Sequence, residues 1–391
     1  MLRHVPPMGI YETLYAFRDA FGTPMGEPGT RPWSQGFPRT VQLPGGPPMP
    51  ASVEVTKDDL KYPKAWGLPA LRESIASYYR THYGAAVTAD NVMTFAGGRP
   101  AIVAVLLFLE PDVAIRVAST EYTQYYDMLR LLGKRPVLVT SDVANNFTPS
   151  VDELLKRPAE GRQLVLMSNP CNPTGVTRDG DDLQRLVESA SAADTGLLID
   201  EAYELMHTPP VSAMRFVRDI DASNLFVVGA ATKGWQSPGI RIGWVVASRR
   251  NIEILGNFSS FGMGGVSHPS QRYAIELLRQ ERVAQARVAV PAFYDSQRQR
   301  YGEAFALLGL SLFSGDGGFY HWCRLPSGMT AEGLNRRLFR EGAAILKGTD
   351  CDMARRGDAS PLAGFFRFSF GPLDPGSLDA DVAILRRALE S

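Results

Sequence analysis

The sequence predicts an α/β protein with a mostly parallel, seven-stranded sheet between helices and a smaller second sheet towards its C-terminal end. Three observations predict this class. Seven short apolar runs recur at regular intervals over residues 92–248. Segments with a helical period separate most of these runs, and strands that alternate with helices favour a parallel sheet covered on both faces. The mixture of 45% apolar and 21% charged residues is typical of a globular chain.

In chain order, the elements begin with an amphipathic helix near the N-terminal end. Gly and Pro interrupt residues 21–50 too often for a helix or a strand, so this stretch is predicted to be an ordered loop. A helical period returns over residues 67–84 and stops at a glycine. The predicted strands of the large sheet are 92–95, 113–118, 136–140, 164–168, 196–200, 225–229 and 241–248.

A long polar helix over residues 283–309 is predicted to lead into a smaller region. In that region GGFYHWCRL, AAILKG and FFRFSFG have the composition of strands. The predicted domains are therefore a large domain over residues 51–284 and a small C-terminal domain over residues 285–391. The helix and covering loop of residues 1–50 complete the smaller domain, which both chain ends then build.

Composition excludes several classes of partner. The 41 Lys and Arg residues balance the 41 Asp and Glu residues, so no attraction to nucleic acid or to an anionic membrane is expected. The longest apolar run, residues 101–109, is too short to span a membrane, and the N-terminal stretch lacks the apolar core of a signal peptide. We expect a soluble, cytoplasmic protein.

Motif spacing excludes several classes of enzyme. The five histidines are scattered and the three cysteines are widely spaced, so neither a metal site nor a disulfide framework is expected. The chain has no G-x-S-x-G for a serine hydrolase, and AGGRPA is not the G-x-G-x-x-G of a dinucleotide-binding turn.

The ends of four predicted strands carry unusual residues, and ligands of open α/β sheets bind beyond such carboxyl ends. Gly97-Gly98-Arg99 opens a helix, where free backbone N–H groups make a phosphate seat, although a plain tight turn is also consistent with these glycines. Asn169 to Gly175 contains two Asn-Pro pairs that stiffen a loop. That loop either presents the Asn172 amide to a ligand or is simply a rigid turn.

The other two strand ends carry opposite charges. Asp200 closes a buried strand, and a buried carboxylate needs a cationic partner or several hydrogen-bond donors. Lys233 follows the next strand, and the turn Ser237-Pro238-Gly239 brings Arg241 back beside it. A lysine on a solvated surface has no need of that setting.

One cofactor, pyridoxal phosphate, matches all four strand ends. It requires a lysine for an imine, a carboxylate for its protonated ring nitrogen, donors for its phenolic oxygen and a phosphate cradle. The matching residues are Lys233 for the imine, Asp200 for the ring nitrogen, Asn172 and Tyr203 for the oxygen, and Gly97-Gly98-Arg99 with Arg241 for the phosphate.

The motifs NPCNPTG, DEAY, TKGWQSPGIRIGW and FRFSF, in that order, resemble those of the class I and II aminotransferases of the fold type I pyridoxal-phosphate enzymes. The resemblance extends from QGFP (35–38) to FRFSFG (366–371). It implies an aminotransferase that moves an α-amino group between an amino acid and a 2-oxo acid through an aldimine on Lys233.

The resemblance also implies further site residues. Tyr122 falls where the family stacks an aromatic ring on the cofactor, and Arg367 where it binds the substrate α-carboxylate, as Asn172 also does. Gly36 lies in the loop that covers the substrate. Tyr62 matches a tyrosine that reaches the phosphate of the neighbouring subunit, which implies a homodimer with shared active sites.

Two positions depart from the family pattern. Ala230 replaces a serine that binds phosphate, which leaves Thr232 as the nearby hydroxyl donor, and Thr120 replaces a proline two residues before Tyr122. A remodelled pocket leaves a second function open. That alternative is a pyridoxal-phosphate enzyme of β/γ-elimination, cyclisation or carbon–carbon bond formation, for example one acting on S-adenosylmethionine.

Three expectations concern charge. Nearby cations such as Arg241 should lower the pKa of Lys233, and a cation beside Asp200 should depress the pKa of its carboxyl group. The cluster of Lys347, Arg355 and Arg356 either meets an acidic substrate side chain or is solvated.

Overall fold

A computed structural model describes residues 1–2, 4–158 and 161–390 of the chain. The predicted fold class is confirmed, because seven strands form one large sheet close to the predicted positions. These strands are β1 (Val92–Phe95), β2 (Val113–Ala118), β3 (Pro136–Val139), β4 (Arg162–Ser168), β5 (Thr195–Asp200), β6 (Leu225–Ala230) and β7 (Gly243–Val246). Their order is β1-β7-β6-β5-β4-β2-β3. Only β7 runs antiparallel, to β1 and to β6.

Helices cover the sheet and connect its strands. Some begin and end where the sequence supplies a signal, as α2 (Pro69–Tyr83) does, with a proline in its first turn and the left-handed Gly84 after its last. The helices are α1 (Ile10–Phe21), α2 (Pro69–Tyr83), α3 (Gly98–Leu107), α4 (Thr123–Leu131), α5 (Val151–Leu155), α6 (Gly180–Ser189), α7 (Arg249–Phe258), α8 (His268–Leu277), α9 (Gln280–Leu307), α10 (Ala331–Arg340) and α11 (Leu378–Glu390).

The central strands β4, β5 and β6 are buried on both faces. Along β5, Leu197 and Ile199 pack into one hydrophobic cluster, whereas Leu198 packs into another. This alternation is the period of two that a pleated strand imposes. Helices on both faces explain why these strands read as continuous apolar runs rather than alternating ones.

A second, antiparallel sheet lies in the C-terminal part of the chain. Its strands are β8 (Ser311–Leu312), β9 (Tyr320–Arg324), β10 (Leu346–Lys347) and β11 (Phe365–Ser369), in the order β10-β11-β9-β8. Three of them match predicted strands, and the two-residue β8 was not predicted. The long helix α9 crosses the predicted boundary at residues 284 and 285, and the domain boundaries themselves remain a prediction.

The predicted loop after α1 runs without regular helix or strand from residue 22 to residue 56. It is nevertheless anchored, because Trp33 is fully buried and its carbonyl accepts the N–H of Ser369 at 2.8 Å. Arg31 donates its backbone N–H to Gly342 at 2.7 Å. The N-terminal region is therefore tied to the small sheet. Within the residues described, no helix combines the length and the apolar character needed to cross a membrane.

The carboxyl group of Glu201 is buried beside the end of β5. Glu201 is 3% exposed and accepts hydrogen bonds from the Ser212 hydroxyl at 2.5 Å and the Ala213 N–H at 2.6 Å. Burial raises its pKa to about 8, more than these hydrogen bonds lower it.

Stability should therefore fall with rising pH through this one group. Between its ordinary pKa of 4.5 and about 8, the folded chain holds a proton at Glu201 that the unfolded chain has lost, so rising pH favours unfolding. Glu201→Gln cannot titrate, and its amide can bond both partners. The Tm of the wild type should drop relative to that of Glu201→Gln across this pH range. Two parallel pH profiles of Tm would contradict the assignment.

Candidate active site

A cavity of about 320 Å³ lies at the carboxyl edge of the large sheet. It forms there because β4, β5 and β6 are parallel and in register, with Ser168 opposite Asp200 and Asp200 opposite Val228. Residues that follow these strands must therefore meet at one edge. Nine predicted site residues line the cavity: Gly98, Arg99, Tyr122, Asn172, Asp200, Tyr203, Thr232, Lys233 and Arg241.

Lys233 projects into this cavity from the turn after β6. Its Nζ donates to the carbonyl of Gly36 and lies 5.8 Å from the centroid of the Tyr203 ring. Burial, followed by the charges of Arg99 and Arg367, lowers its pKa to about 7. The expected direction is confirmed. Arg241 contributes less than those two arginines, so the cation named in the prediction is a minor cause.

Asp200 closes β5 in the same cavity. Its Oδ1 accepts the N–H of Ala202 at 3.1 Å, and its Oδ2 accepts the hydroxyl of Tyr125 at 3.4 Å. Its pKa is raised to about 6, so the predicted depression is wrong for this chain. Burial outweighs both hydrogen bonds and the attraction of Lys233. Among the described residues no cation forms an ion pair with Asp200, which leaves the carboxylate available to a protonated ligand.

The far end of the cavity combines a helix N-terminus with a guanidinium group. Gly97 is the N-cap of α3 with a φ of +108°, and a Cβ there would lie 2.2 Å from a guanidinium nitrogen of Arg241. The guanidinium donates to the carbonyls of Pro238 at 2.9 Å and Ala96 at 3.2 Å. The predicted turn, a short helical turn over Pro238–Ile240, thus presents Arg241 beside a helix N-terminus, which is a favourable place for a phosphate.

The side wall of the cavity already contains paired polar groups. Asn172 accepts a hydrogen bond from Arg367 at 2.7 Å, and Tyr203 shares a short hydrogen bond with Tyr320. Arg99 donates to the hydroxyl of Tyr122 at 2.9 Å. The amide nitrogen of Asn172 and the Tyr203 hydroxyl remain the groups that suit a phenolic oxygen.

A second cavity, of about 170 Å³, adjoins the first and contains Gly36 and Arg367. The guanidinium carbon of Arg367 lies 4.2 Å from the centroid of the Tyr320 ring, and its Nη2 donates to the Ser34 carbonyl at 2.7 Å. A Cβ on Gly36 would lie 2.3 Å from the Tyr320 hydroxyl, so the covering loop needs a glycine there.

Eight residues that line this second cavity were not among the predicted site residues: Ile10, Leu14, Gln35, Phe37, Thr123, Gln124, Tyr320 and Leu346. Tyr320 lies in β9, where it was treated as part of a strand, and Ile10 and Leu14 lie on the apolar side of α1. Nothing in the spacing of the GGFY segment connects it to the motifs of the large sheet. The sequence alone therefore could not identify Tyr320 as a residue of the site. The apolar face of α1 is indistinguishable in sequence from a face that packs on a core.

Tyr62 is not brought to either cavity. It is 93% exposed on the surface of the single chain. Its predicted place at the phosphate of a neighbouring subunit stays a prediction.

The basic cluster weighed for an acidic side chain does not reach the cavities either. Lys347 pairs with Glu12 at 2.9 Å, and Arg356 pairs with Asp352. Arg355 lies over the ring of Tyr126, at 4.6 Å from its centroid. These contacts occupy all three cations elsewhere.

The two departures from the family pattern lie in different surroundings. Ala230 lines the main cavity beside Thr232. Thr120 lies behind Tyr122, and its hydroxyl donates to the Ser141 carbonyl at 2.8 Å. Only the first departure changes the set of groups that face a ligand.

Known proteins resemble the chain over most of its length. The sequence model of the aminotransferase class I and II family matches residues 48–380. An aspartate aminotransferase of Pyrococcus horikoshii is 24% identical over 283 residues, 72% of each chain. A probable aspartate/prephenate aminotransferase of Thermus aquaticus is 26% identical, over 74% of this chain and 76% of its own. The aspartate aminotransferase of Thermus thermophilus with maleate has a TM-score of 0.78 at 21% identity, over 99% of this chain and all of its own. These matches confirm the predicted resemblance and fold class.

The lowered pKa of Lys233 can be measured directly. With its amines reductively methylated with isotope-labelled methyl groups, the protein without added cofactor should show one lysine signal that titrates near pH 7, identified by its absence in Lys233→Arg. Arg99→Gln removes a cation, so the pH midpoint should rise. The exposed Arg250 provides the control, and Arg250→Gln should leave the midpoint unchanged. A Lys233 amine that titrates with the other lysines would contradict this account of the site.

Proposed function

The chain belongs to the aminotransferase class I and II family and is an aminotransferase, and we propose that it works with pyridoxal phosphate attached covalently to Lys233. In this proposal an α-amino group moves between an amino acid and a 2-oxo acid. The observation that carries the proposal is the convergence of Lys233, Asp200 and Arg241 in one cavity.

The residues present fit the cofactor. The cavity of about 320 Å³ is within the usual size range of small-molecule sites. Asp200 is buried without a cationic partner among the described residues, which suits a protonated ring nitrogen. Gly97 leaves open the space beside Arg241 that a side chain would fill. When bound, pyridoxal phosphate supplies a ring that accepts the electron pair left on the substrate α-carbon.

Lys233 is the residue that moves protons in this proposal. A pKa of about 7 leaves much of its amine neutral at neutral pH, as a nucleophile and a general base both require. Asp200 keeps the ring nitrogen protonated. Asn172 and Tyr203 donate to the phenolic oxygen, while Arg241 and the N-terminus of α3 hold the phosphate.

Arg367 binds the substrate α-carboxylate. A guanidinium matches a carboxylate through a planar pair of N–H groups. Its Nε is buried and has no partner among the described residues. Gly36 and its loop close the cavity over the bound substrate and exclude water from it.

The second cavity supports a substrate with an acidic side chain. Its walls include Ile10, Leu14 and Phe37, and Arg99 is the cation that reaches it besides Lys233 and Arg367. The relatives named for aspartate and for prephenate agree with this choice.

We further infer a cytoplasmic homodimer with shared active sites. The inference rests on the motif match of Tyr62 to a tyrosine that reaches a neighbouring subunit, and its exposed side chain is accessible to such a partner. In this arrangement Tyr62 contacts the phosphate of the neighbouring site.

A single half-reaction tests the proposed function. Incubated with an amino donor alone, the holoenzyme should accumulate the pyridoxamine form, which absorbs in the near ultraviolet, and release one 2-oxo acid per site. A panel of amino acids in the same assay should favour aspartate and glutamate. Lys233→Ala should lose the adduct that borohydride reduces. Turnover without a pyridoxamine form would instead support the elimination, cyclisation or carbon–carbon bond-forming alternative.

Gly97→Ala should weaken cofactor binding through the phosphate end. Its methyl group would lie 2.2 Å from the Arg241 guanidinium, so the Kd for pyridoxal phosphate should rise at least about tenfold. Gly84→Ala is the matched control, because Gly84 also has a positive φ, of +70°, but no atom within 4 Å. Equal Kd values for wild type, Gly97→Ala and Gly84→Ala would show that this turn does not hold the phosphate.

A further inference from the structure

A buried acid lies directly behind the cofactor cavity without lining it. Glu121 is 2% exposed and immediately precedes Tyr122 at the start of α4. Its Oε1 accepts the backbone N–H of Tyr122 at 2.9 Å. Among the described residues it forms no ion pair, so hydrogen bonds alone satisfy this carboxyl group.

The same carboxyl group reaches the loop that carries Asn172. The Ser168 hydroxyl donates to Glu121 Oε1 at 2.5 Å, and the Ser168 N–H approaches Oε2 at 3.4 Å. In turn, the Ser168 oxygen accepts the backbone N–H of Asn172 at 3.0 Å. One buried side chain therefore joins the backbones of Tyr122 and Asn172, which stand on neighbouring walls of the cavity.

Packing does not explain this acid. A small cavity of about 30 Å³ lies against Glu121, between Cys171 and Arg178, which is space enough for an ordered water. Burial raises the pKa of the carboxyl group to about 7, and an apolar side chain would avoid that desolvation cost. The hydrogen bonds, rather than close contact, fix the position of the carboxyl group.

We propose that Glu121 is a positioning residue of the cofactor site. Its carboxyl group holds Tyr122 directly, and holds Asn172 through Ser168, in the orientation that faces the cofactor. This inference rests on the proposed function, because it assigns both residues to pyridoxal phosphate. Glu121 itself contacts neither cofactor nor substrate.

Two conservative variants separate the effect of the length of the Glu121 side chain from the effect of its charge. Glu121→Asp keeps the charge but shortens the side chain by one methylene, so it cannot span from Tyr122 to Ser168. Glu121→Gln keeps the reach and an oxygen at the Oε1 position, which accepts the two shorter hydrogen bonds. It loses the charge and the longer contact of Oε2 with the Ser168 N–H. A neutral amide is a close substitute for a carboxyl group whose pKa is about 7.

The readouts are the Kd for pyridoxal phosphate and the circular dichroism band of the bound cofactor in the visible. Glu121→Asp should raise the Kd at least about tenfold and weaken the band, and Glu121→Gln should stay within about threefold of the wild type with its band intact. Ser168→Ala should weaken the band as Glu121→Asp does. The double variant should add little to either single variant, since both break one chain of contacts.

A stability control separates positioning from folding. Asp381 is also buried and accepts two hydroxyl hydrogen bonds, from Tyr301 and Ser377, both at 2.7 Å. Unlike Glu121 it also pairs with an arginine, Arg31, at 3.2 Å. Asp381→Ala should lower the Tm of the protein without cofactor while leaving the Kd for pyridoxal phosphate unchanged.

Three results would overturn the proposal. The first is that Glu121→Asp has the Kd and the band of the wild type. The second is that Glu121→Asp and Glu121→Gln lose cofactor affinity equally. The third is that Asp381→Ala loses as much cofactor affinity as Glu121→Asp. Failure of the proposed function would look different, because the wild type itself would then bind no pyridoxal phosphate.

Discussion

Burial of the Lys233 amine is the constraint on which the rest of the site depends. An ammonium group held out of water beside Arg99 and Arg367 is electrostatically unfavourable. These surroundings therefore favour the neutral form of the Lys233 amine. The covering loop lies against this amine. Gly36 places its carbonyl on Lys233, and the buried Trp33 anchors the same loop to the small sheet. A loop rich in Gly and Pro thus shapes the surroundings of Lys233 together with the strand ends.

Much of this arrangement could be predicted from the sequence because it follows from local pattern. Apolar runs place the strands, and parallel strands in register bring Asn172, Asp200 and Lys233 to one edge. The rest depends on contacts that no spacing encodes. The Tyr320 hydroxyl, for example, bonds to that of Tyr203, which lies 117 residues earlier in the chain. Tyr320 belongs to the small sheet, whereas Tyr203 follows a strand of the large sheet. The predicted direction of the pKa shift of Asp200 was wrong. That shift is set by a balance between burial and charge, which only the folded structure determines.

Hydrogen bonds of Thr120 take the place of the proline that the family has at this position. Where the family has a proline before the stacking aromatic residue, Thr120 bonds the Ser141 carbonyl and pairs its backbone with Asp352. A ring that would stiffen the turn covalently is replaced by hydrogen bonds. Glu121, the next residue, adds its own bond to the backbone of Tyr122. The turn is therefore held from two sides, and its altered sequence does not imply a looser pocket.

Arg367 connects three parts of the chain that are distant in sequence. It lies on β11 of the small sheet and donates to Asn172, which follows β4 of the large sheet, and to Ser34 of the covering loop, each at 2.7 Å. Under its proposed role, a substrate carboxylate competes with those two oxygens for the same N–H groups. Substrate binding at Arg367 therefore replaces hydrogen bonds within the protein by hydrogen bonds to the substrate carboxylate. Asn172 also lines the cavity that contains Lys233, and the covering loop accepts a hydrogen bond from the Lys233 amine at the Gly36 carbonyl. That exchange therefore links occupancy of the proposed substrate site to the geometry around Lys233.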